Sequence, residues 1–416
     1  FPFPISHFPF PISHFPFPIS YFLFPISYFL FPISLFSFSM PKLLVVTTVP
    51  ITIRSFLLPL IEHCQSLGWQ VDGMAQGIEG DRDCVETCDR IYDIQWSRNV
   101  FDPRNLWAGV SRVKQVVAQE DYDLVHVHTP IAAFVTRYAL RNNQKPKVIY
   151  TAHGFHFYHG GNALKNFIFL SLEKLAGAWT DYLITINRED ETAAKKYNFL
   201  TDARIYYTRG IGVDTDYYAS GKVDPANLAQ VRQQLNLADS DTLLLSIAEF
   251  TPRKRHQDLL NALAKVANPQ VHLALAGEGP IKPKMAELAQ QLGIAKQVHF
   301  LGYRQDIPTL IQAANAVLLV SQQEGLPRSI MEAMCLNTPV IGSNIRGTQD
   351  LLSNGCGLLV PLGDTNALAQ AMSQIVEDPD SLAVMAAKAQ TKIASYDLKK
   401  ILQQYSEIYQ LALTDI

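Results

Sequence analysis

Residues 316–333, AVLLVSQQEGLPRSIMEA, read as two elements joined by a loop. The first five are apolar without alternation, the pattern of a strand buried on both faces of a parallel sheet. Glu324, Gly325, Leu326 and Pro327 then break the run. A Pro at the first helical turn opens a helix whose unpaired N–H groups face the carboxyl end of that strand.

The same unit recurs on both sides. Apolar, β-branched runs stand at 43–47, 70–74, 124–128, 148–151, 182–186, 204–208, 243–248, 272–276, 299–302, 316–320, 340–343 and 357–360. Helical patterns lie between them, as at 54–67, 259–266 and 285–292, and an amphipathic segment closes the chain at 398–411. This β-α order predicts doubly wound sheets with right-handed crossovers. A dozen strands is too many for one such sheet. The expectation is an α/β fold of two Rossmann-like lobes, divided at the Gly/Asp-rich segment 210–216 and the polar stretch 220–227.

The 416 residues suit two or three domains at roughly 150 residues each. With 35 Lys+Arg against 38 Asp+Glu, the net charge of −3 gives no footprint for a nucleic-acid binder. Hydrophobic content of 48% with 18% charged residues excludes a disordered chain. Five cysteines imply no disulfide framework and fit a reducing compartment. Cys84 and Cys88 have the wrong spacing for a redox pair and read as surface residues.

Residues 1–39 repeat FPFPISH with a period of seven and contain no Lys, Arg, Asp or Glu. The basic n-region and small-residue cleavage site of a signal peptide are missing. Recurrent Pro excludes a membrane-spanning helix or a coiled coil. The segment reads as a translated upstream repeat with the natural start at Met40; a Pro-rich docking tail is the rival reading.

Ligands of open α/β sheets bind beyond the carboxyl ends of the strands. Four places there carry chemistry. At the first, the helix N-terminus after 316–320 favours a phosphate. Glu324 and Glu332 are acceptor-only groups whose natural partners are hydroxyls of a sugar and a ribose; the plain alternative is a Glu favoured by the helix dipole. At the second, Arg253, Lys254 and Arg255 follow a strand and Pro252, three cations able to clamp a diphosphate, or simply a solvated basic loop. The third is AGEGP with Gly277 and Gly279, a strand-to-helix turn.

The fourth is YTAHGFHFYHGG at 150–161, with His153, Gly154, His156 and His159. No Asp, Glu or Cys completes a metal set, and the spacing departs from zinc motifs, so imidazoles binding a hydroxylated ligand are favoured over metal. His126 and His128 flank Val127 and are assigned to opposite faces of their strand, one entering the cleft and one in the core. Three Asp-x-Asp triplets, at Asp81, Asp121 and Asp214, read as loops.

In combination, EGLPRSIMEAM, TPRKRHQDLL, AGEGP, FLGYRQDI, DLVHVHTP, YTAHGFHFYHGG and GIGVD resemble a nucleotide-sugar glycosyltransferase of the GT-B fold, family 4, in the branch of capsular and exopolysaccharide assembly. The resemblance covers nearly everything after Met40. It implies an acceptor-binding lobe at 40–212 joined by a crossover helix at 395–416, and a nucleotide-sugar lobe at 213–394. It also implies retention of anomeric configuration without an obligatory metal or other cofactor.

Carried over position by position, the resemblance puts Glu324 on the transferred sugar, with Gly325, Leu326 and Pro327 near it and the diphosphate. Glu332 would hold the ribose, Lys254 the diphosphate, and His153 would stand near the reaction centre. Arg253, Gly277, Gly279, Tyr303, His128 and Gly154 complete the expected substrate contacts. Two positions depart. Glu249 stands where many relatives carry Arg, so Arg253 is expected to compensate, and Thr47-Thr48-Val49-Pro50 replaces a Gly-Gly turn.

The resemblance implies a hexose or N-acetylhexosamine moved from a UDP-linked donor to a lipid-linked saccharide. The place would be the cytoplasm, with peripheral inner-membrane association through the aromatic loop 155–158 and the apolar stretch 167–172, and no nucleic-acid partner. A GT-B nucleotide-sugar epimerase and a non-enzymatic two-lobe binding protein are the alternatives.

Overall fold

A computed structural model describes residues 40–97, 102, 104–219 and 221–415; the FPFPISH repeat lies outside them. The strands are β1 (Lys42–Val46), β2 (Gln70–Ala75), β3 (Ile91–Asp93), β4 (Leu124–His128), β5 (Lys147–Ala152), β6 (Tyr182–Thr185) and β7 (Ile205–Tyr207), then β8 (Thr242–Ile247), β9 (Val271–Ala276), β10 (Val298–Gly302), β11 (Ala316–Leu319), β12 (Val340–Ser343) and β13 (Leu358–Val360). Among the described residues they form two parallel sheets, ordered β3-β2-β1-β4-β5-β6-β7 and β10-β9-β8-β11-β12-β13. Each apolar run of the sequence lies within a residue of its strand. β3 had no run, because Ile91–Asp93 is a half-buried, three-residue edge strand beside β2.

Continuous apolar runs serve these strands because successive side chains enter different cores. In β1, Leu44 and Val46 join the cluster holding Val113 and Val125, whereas Leu43 and Val45 join the one holding Ile61 and Tyr409. The second sheet is covered likewise: Leu243 and Leu245 face one cluster and Leu244 the other.

The C-terminal helix Leu398–Thr414 buries Ile401, Tyr405, Ile408, Tyr409 and Ala412, an i, i+4, i+7, i+8, i+11 stripe, into the first sheet's core. The chain therefore crosses back from the second lobe. Val213 N donates to Tyr396 O and Leu398 N to Val213 O, each at 3.0 Å, tying the two crossing strands of chain together. Gly212 (φ +82°) is required there, since a Cβ would stand 2.7 Å from Leu398 Cα.

Three expectations are corrected. His126 and His128, two apart on β4, share a face, as period-two geometry demands, and their ring centroids are 4.0 Å apart. Cys84 and Cys88 are buried under the first sheet. Phe155 and Phe157 stack on each other inside the core against Phe199, so of the loop 155–158 only His156 is exposed and Tyr158 half-buried. Among the described residues, no helix is long and apolar enough to cross a membrane.

Candidate active site

In each sheet the chain runs outward from a central pair of strands, β1/β4 and β8/β11, and a crevice opens at that switch of direction. The two crevices face one another across a cleft of about 1110 Å³ lined from both lobes.

On the second lobe, the turn Pro252–Lys254 follows β8 and residues 321–327 follow β11. Lys254 Nζ reaches Glu324 Oε1 at 2.6 Å. Arg253 Nη1 donates to Gln323 O at 2.9 Å and lies 4.0 Å from Glu324 Oε2. Arg255 does not join them: its guanidinium pairs with Asp258 on the following helix, so of the three cations expected to clamp a diphosphate only Arg253 and Lys254 line the cleft.

Pro327 caps the helix Arg328–Cys335 in extended conformation, and the helix's first turn lines the cleft. Glu332, one turn in, is buried and accepts from Tyr218 Oη at 2.7 Å and Arg328 Nε at 2.8 Å, both on Oε1. Burial raises its pKa, and Arg328 and Tyr218 oppose that rise. Arg328 Nη1 also crosses the cleft to Ser55 O at 2.8 Å.

Gly277 and Gly279 weld the loop after β9 to the loop after β8. Added Cβ atoms would lie 2.1 Å from Ala248 O and 2.5 Å from Phe250 O. Gly277 lines the cleft, while Gly279 packs behind Phe250. Tyr303, just after β10 on the same lobe, also lines the cleft and is 78% exposed, and Glu249 is exposed beside it.

On the first lobe, His153 follows β5 and lines the cleft. Its Nε2 is 2.9 Å from Nδ1 of His128, which is fully buried behind it. His126 sits deeper, bonded to Tyr409 Oη at 2.6 Å and Thr151 Oγ1 at 2.8 Å. Burial pulls the pKa of His153 down to about 4 and that of His126 to about 3, and holds His128 well below 6.5. All three are neutral imidazoles at pH 7. At the β1/β4 switch, Thr48 N and Oγ1 bond Thr129 Oγ1 at 2.9 and 2.7 Å, closing the turn that replaces Gly-Gly. Among the described residues no three His, Cys, Asp or Glu side chains are grouped to hold a metal.

The lobes touch where Glu324 and His153 stand. Gly325 has no room for a side chain, because a Cβ would lie 2.0 Å from His153 O, and Gly154 sits beside Gly325 Cα. Arg346, in the loop after β12, enters this contact and pairs with Asp190 of the first lobe at 2.7 Å. Sequence reading passed over Arg346, Asp190 and Tyr218. Arg346 carried one usable signal, a cation just beyond the carboxyl end of a strand.

Comparisons with known proteins agree with this fold. Residues 55–216 match the model of Glycosyltransferase Family 4, and residues 229–392 that of Glycosyl transferases group 1. The putative glycosyltransferase EpsD of Bacillus subtilis (strain 168) is 31% identical over 88% of this chain and 96% of its own length. The UDP-Gal:alpha-D-GlcNAc-diphosphoundecaprenol alpha-1,3-galactosyltransferase of Escherichia coli is 26% identical over 75% of this chain and 81% of its own. Anabaena Alr3699/HepE, in complex with UDP and glucose, superposes with a TM-score of 0.74 at 23% identity, covering 89% of this chain and 99% of that one.

Proposed function

The chain belongs to the family 4 glycosyltransferases, and from that premise we propose that it moves a hexose or N-acetylhexosamine from a UDP-linked donor to a lipid-linked saccharide, with retention and without an obligatory metal. One observation carries the reading. Lys254 and Arg253 converge with Glu324 at the first turn of the helix Arg328–Cys335, and neutral His153 faces them from the other lobe. A diphosphate needs cations and a helix N-terminus, and a sugar needs acceptors. The E. coli relative's diphosphoundecaprenol-linked acceptor and the Anabaena protein's UDP support the finer identities.

The step is a front-face displacement. The acceptor oxygen bonds to the anomeric carbon as its bond to the β-phosphate oxygen breaks, and the hydroxyl proton passes to that departing oxygen. Lys254 meets the growing phosphate charge, and Glu324 orients the sugar, while neutral His153 lies beside the developing oxocarbenium centre. Tyr218 and Arg328 hold Glu332 for the ribose. With two cations at the diphosphate, a metal ion has no required part.

Attachment to the cytoplasmic face of the inner membrane is part of the reading. It is supported by the helix Ala163–Gly177, which exposes Leu164, Phe167 and Leu175 beside Lys165 and Lys174.

A thermal-shift screen of nucleotide sugars, followed by turnover with a lipid-linked acceptor in EDTA and NMR of the product anomer, tests this. Inversion, metal dependence or preference for a soluble acceptor overturns the corresponding part. Epimer or free sugar released from UDP-N-acetylhexosamine alone supports the epimerase instead.

A further inference from the structure

Arg346 is almost wholly buried, and its guanidinium is spent on the contact between the lobes. Nε donates to Glu324 O at 3.2 Å within its own lobe. Nη1 donates to Asp190 Oδ1 at 2.7 Å and Phe157 O at 3.1 Å, and Nη2 to Phe155 O, all on the first lobe. Asp190 is itself fixed in the first turn of the helix Arg188–Lys196. Its Oδ2 accepts from Asn187 Nδ2 at 2.7 Å and Phe155 N at 3.1 Å. Gln323 Nε2 adds a second donor to Phe155 O at 3.1 Å.

These partners are not spread through a core. They are the carbonyl of Glu324 and the backbone two and four residues beyond His153. The neighbouring Gly347 (φ +72°) lets Arg346 come this close, because a Cβ there would lie 2.0 Å from Gly325 O. A buried ion pair is by itself weak evidence of stabilisation, since desolvation offsets much of the attraction. The planar fork of Arg, serving several acceptors at once, is instead suited to fixing geometry, and the single ammonium of Lys cannot reproduce it.

We propose that Arg346 is a positioning residue of the transfer reaction: through Asp190 and the Phe155 and Phe157 carbonyls it sets the distance across the cleft between Glu324 and His153. The proposal rests on the transferase reading of those two groups. Arg346 touches no reacting atom in it. Its effect falls on the geometry in which the two halves of the site meet.

The test compares Arg346→Lys and Asp190→Asn with the wild-type full chain. Readouts are melting temperature, UDP-sugar affinity, single-turnover rate, and radius of gyration by small-angle scattering without ligand. Arg346→Lys is expected to stay folded and bind donor within about threefold of wild type, since Lys254 and Glu332 are untouched. Its single-turnover rate should fall by about 10- to 100-fold, the scale of an ångström-sized misplacement, and its radius should increase. Asp190→Asn should follow in the same direction, and the double variant should be no worse than the worse single one. A folded Arg346→Lys with a rate within about twofold of wild type overturns the proposal. So does a rate loss that matches the loss of folded protein, or the failure of both variants to fold. If only Asp190→Asn folds, its rate and radius decide. If the wild type turns over no nucleotide sugar, the transferase reading fails, and an unchanged radius in Arg346→Lys then overturns the positioning role separately.

Discussion

Lys254 Nζ and Glu324 Oε1 stand 2.6 Å apart, joining the loop after β8 to the loop after β11 at the point where the second sheet reverses its order. Both side chains are largely shielded from water, so each compensates the other's charge. On the proposed reading, a donor diphosphate competes for the ammonium and a sugar hydroxyl for the carboxylate.

On the proposed reading, Lys254→Ala removes a charge donor that meets the departing phosphate, and it leaves Glu324 with only Arg253, 4.0 Å away, as a charged partner. Its kcat should fall by roughly 10²-fold or more. Glu324→Gln keeps the shape and should also act chiefly on kcat. Rapid-quench single turnovers of the two variants check both. A near wild-type chemical step in Lys254→Ala would contradict the assignment.

On the proposed reading, Glu332 holds the ribose, a part of the donor that does not change during reaction. Glu332→Ala should raise the donor KM and spare kcat. Tyr218→Phe removes one of the two donors that orient Glu332 and should raise KM by a smaller factor, with kcat again unchanged. Steady-state kinetics over a donor concentration series separates the two effects.

Gly325→Ala meets His153 O across the lobe boundary, and the clash is relieved if the lobes separate slightly. The melting temperature should move by only a few degrees. In contrast, kcat/KM should fall about tenfold or more, because the two halves of the site no longer meet. Calorimetry beside an activity assay distinguishes this from simple unfolding.

The buried histidines predict acid sensitivity of the fold. Burial lowers the pKa of His126 to about 3 and those of His153 and His256 to about 4, from about 6.5 in the unfolded chain. The unfolded state therefore binds more protons, and stability is lost as pH falls from about 6.5 towards 4, on the order of 1–2 kcal/mol per histidine by pH 5. Asp190 runs the other way. Burial raises its pKa to about 6 against the opposing pull of Arg346, so its contribution grows more favourable over the same interval. Asp72, Glu332 and Asp350 are raised by burial as well and act with Asp190, but His128, His156, His272 and His299 are lowered beside the first three imidazoles, so the urea midpoint should be lower at pH 5 than at pH 7.5.

The strands, their order of alternation with helices and the loops that carry the site were legible in the residues. The apolar runs could be buried only on both faces of a sheet, and side chains at strand ends could lie only at a carboxyl edge. That rule singled out the stretches holding Glu324, Lys254 and His153, the family resemblance gave each its expected role, and the structure places all three on one cleft. β3 escaped because three residues make no pattern. Arg255 looked equivalent to Arg253 and Lys254 until the left-handed backbone at Arg255 (φ +46°) turned its guanidinium towards Asp258.

Sequence by itself determined which strands are buried on both faces and which side chains sit at their carboxyl ends, because periodicity records how a regular element meets the core; it did not determine burial outside regular strands, where Cys84, Cys88, Phe155 and Phe157 proved to be interior. Tertiary structure alone decided who meets whom. Arg346 and Asp190 are 156 residues apart, Tyr218 and Glu332 are 114 apart, and no local spacing encodes either pair. Such partners are chosen by how two independently patterned lobes and a returning helix pack together. That packing brings one guanidinium, two glycines and a neutral imidazole to the same few ångströms of cleft.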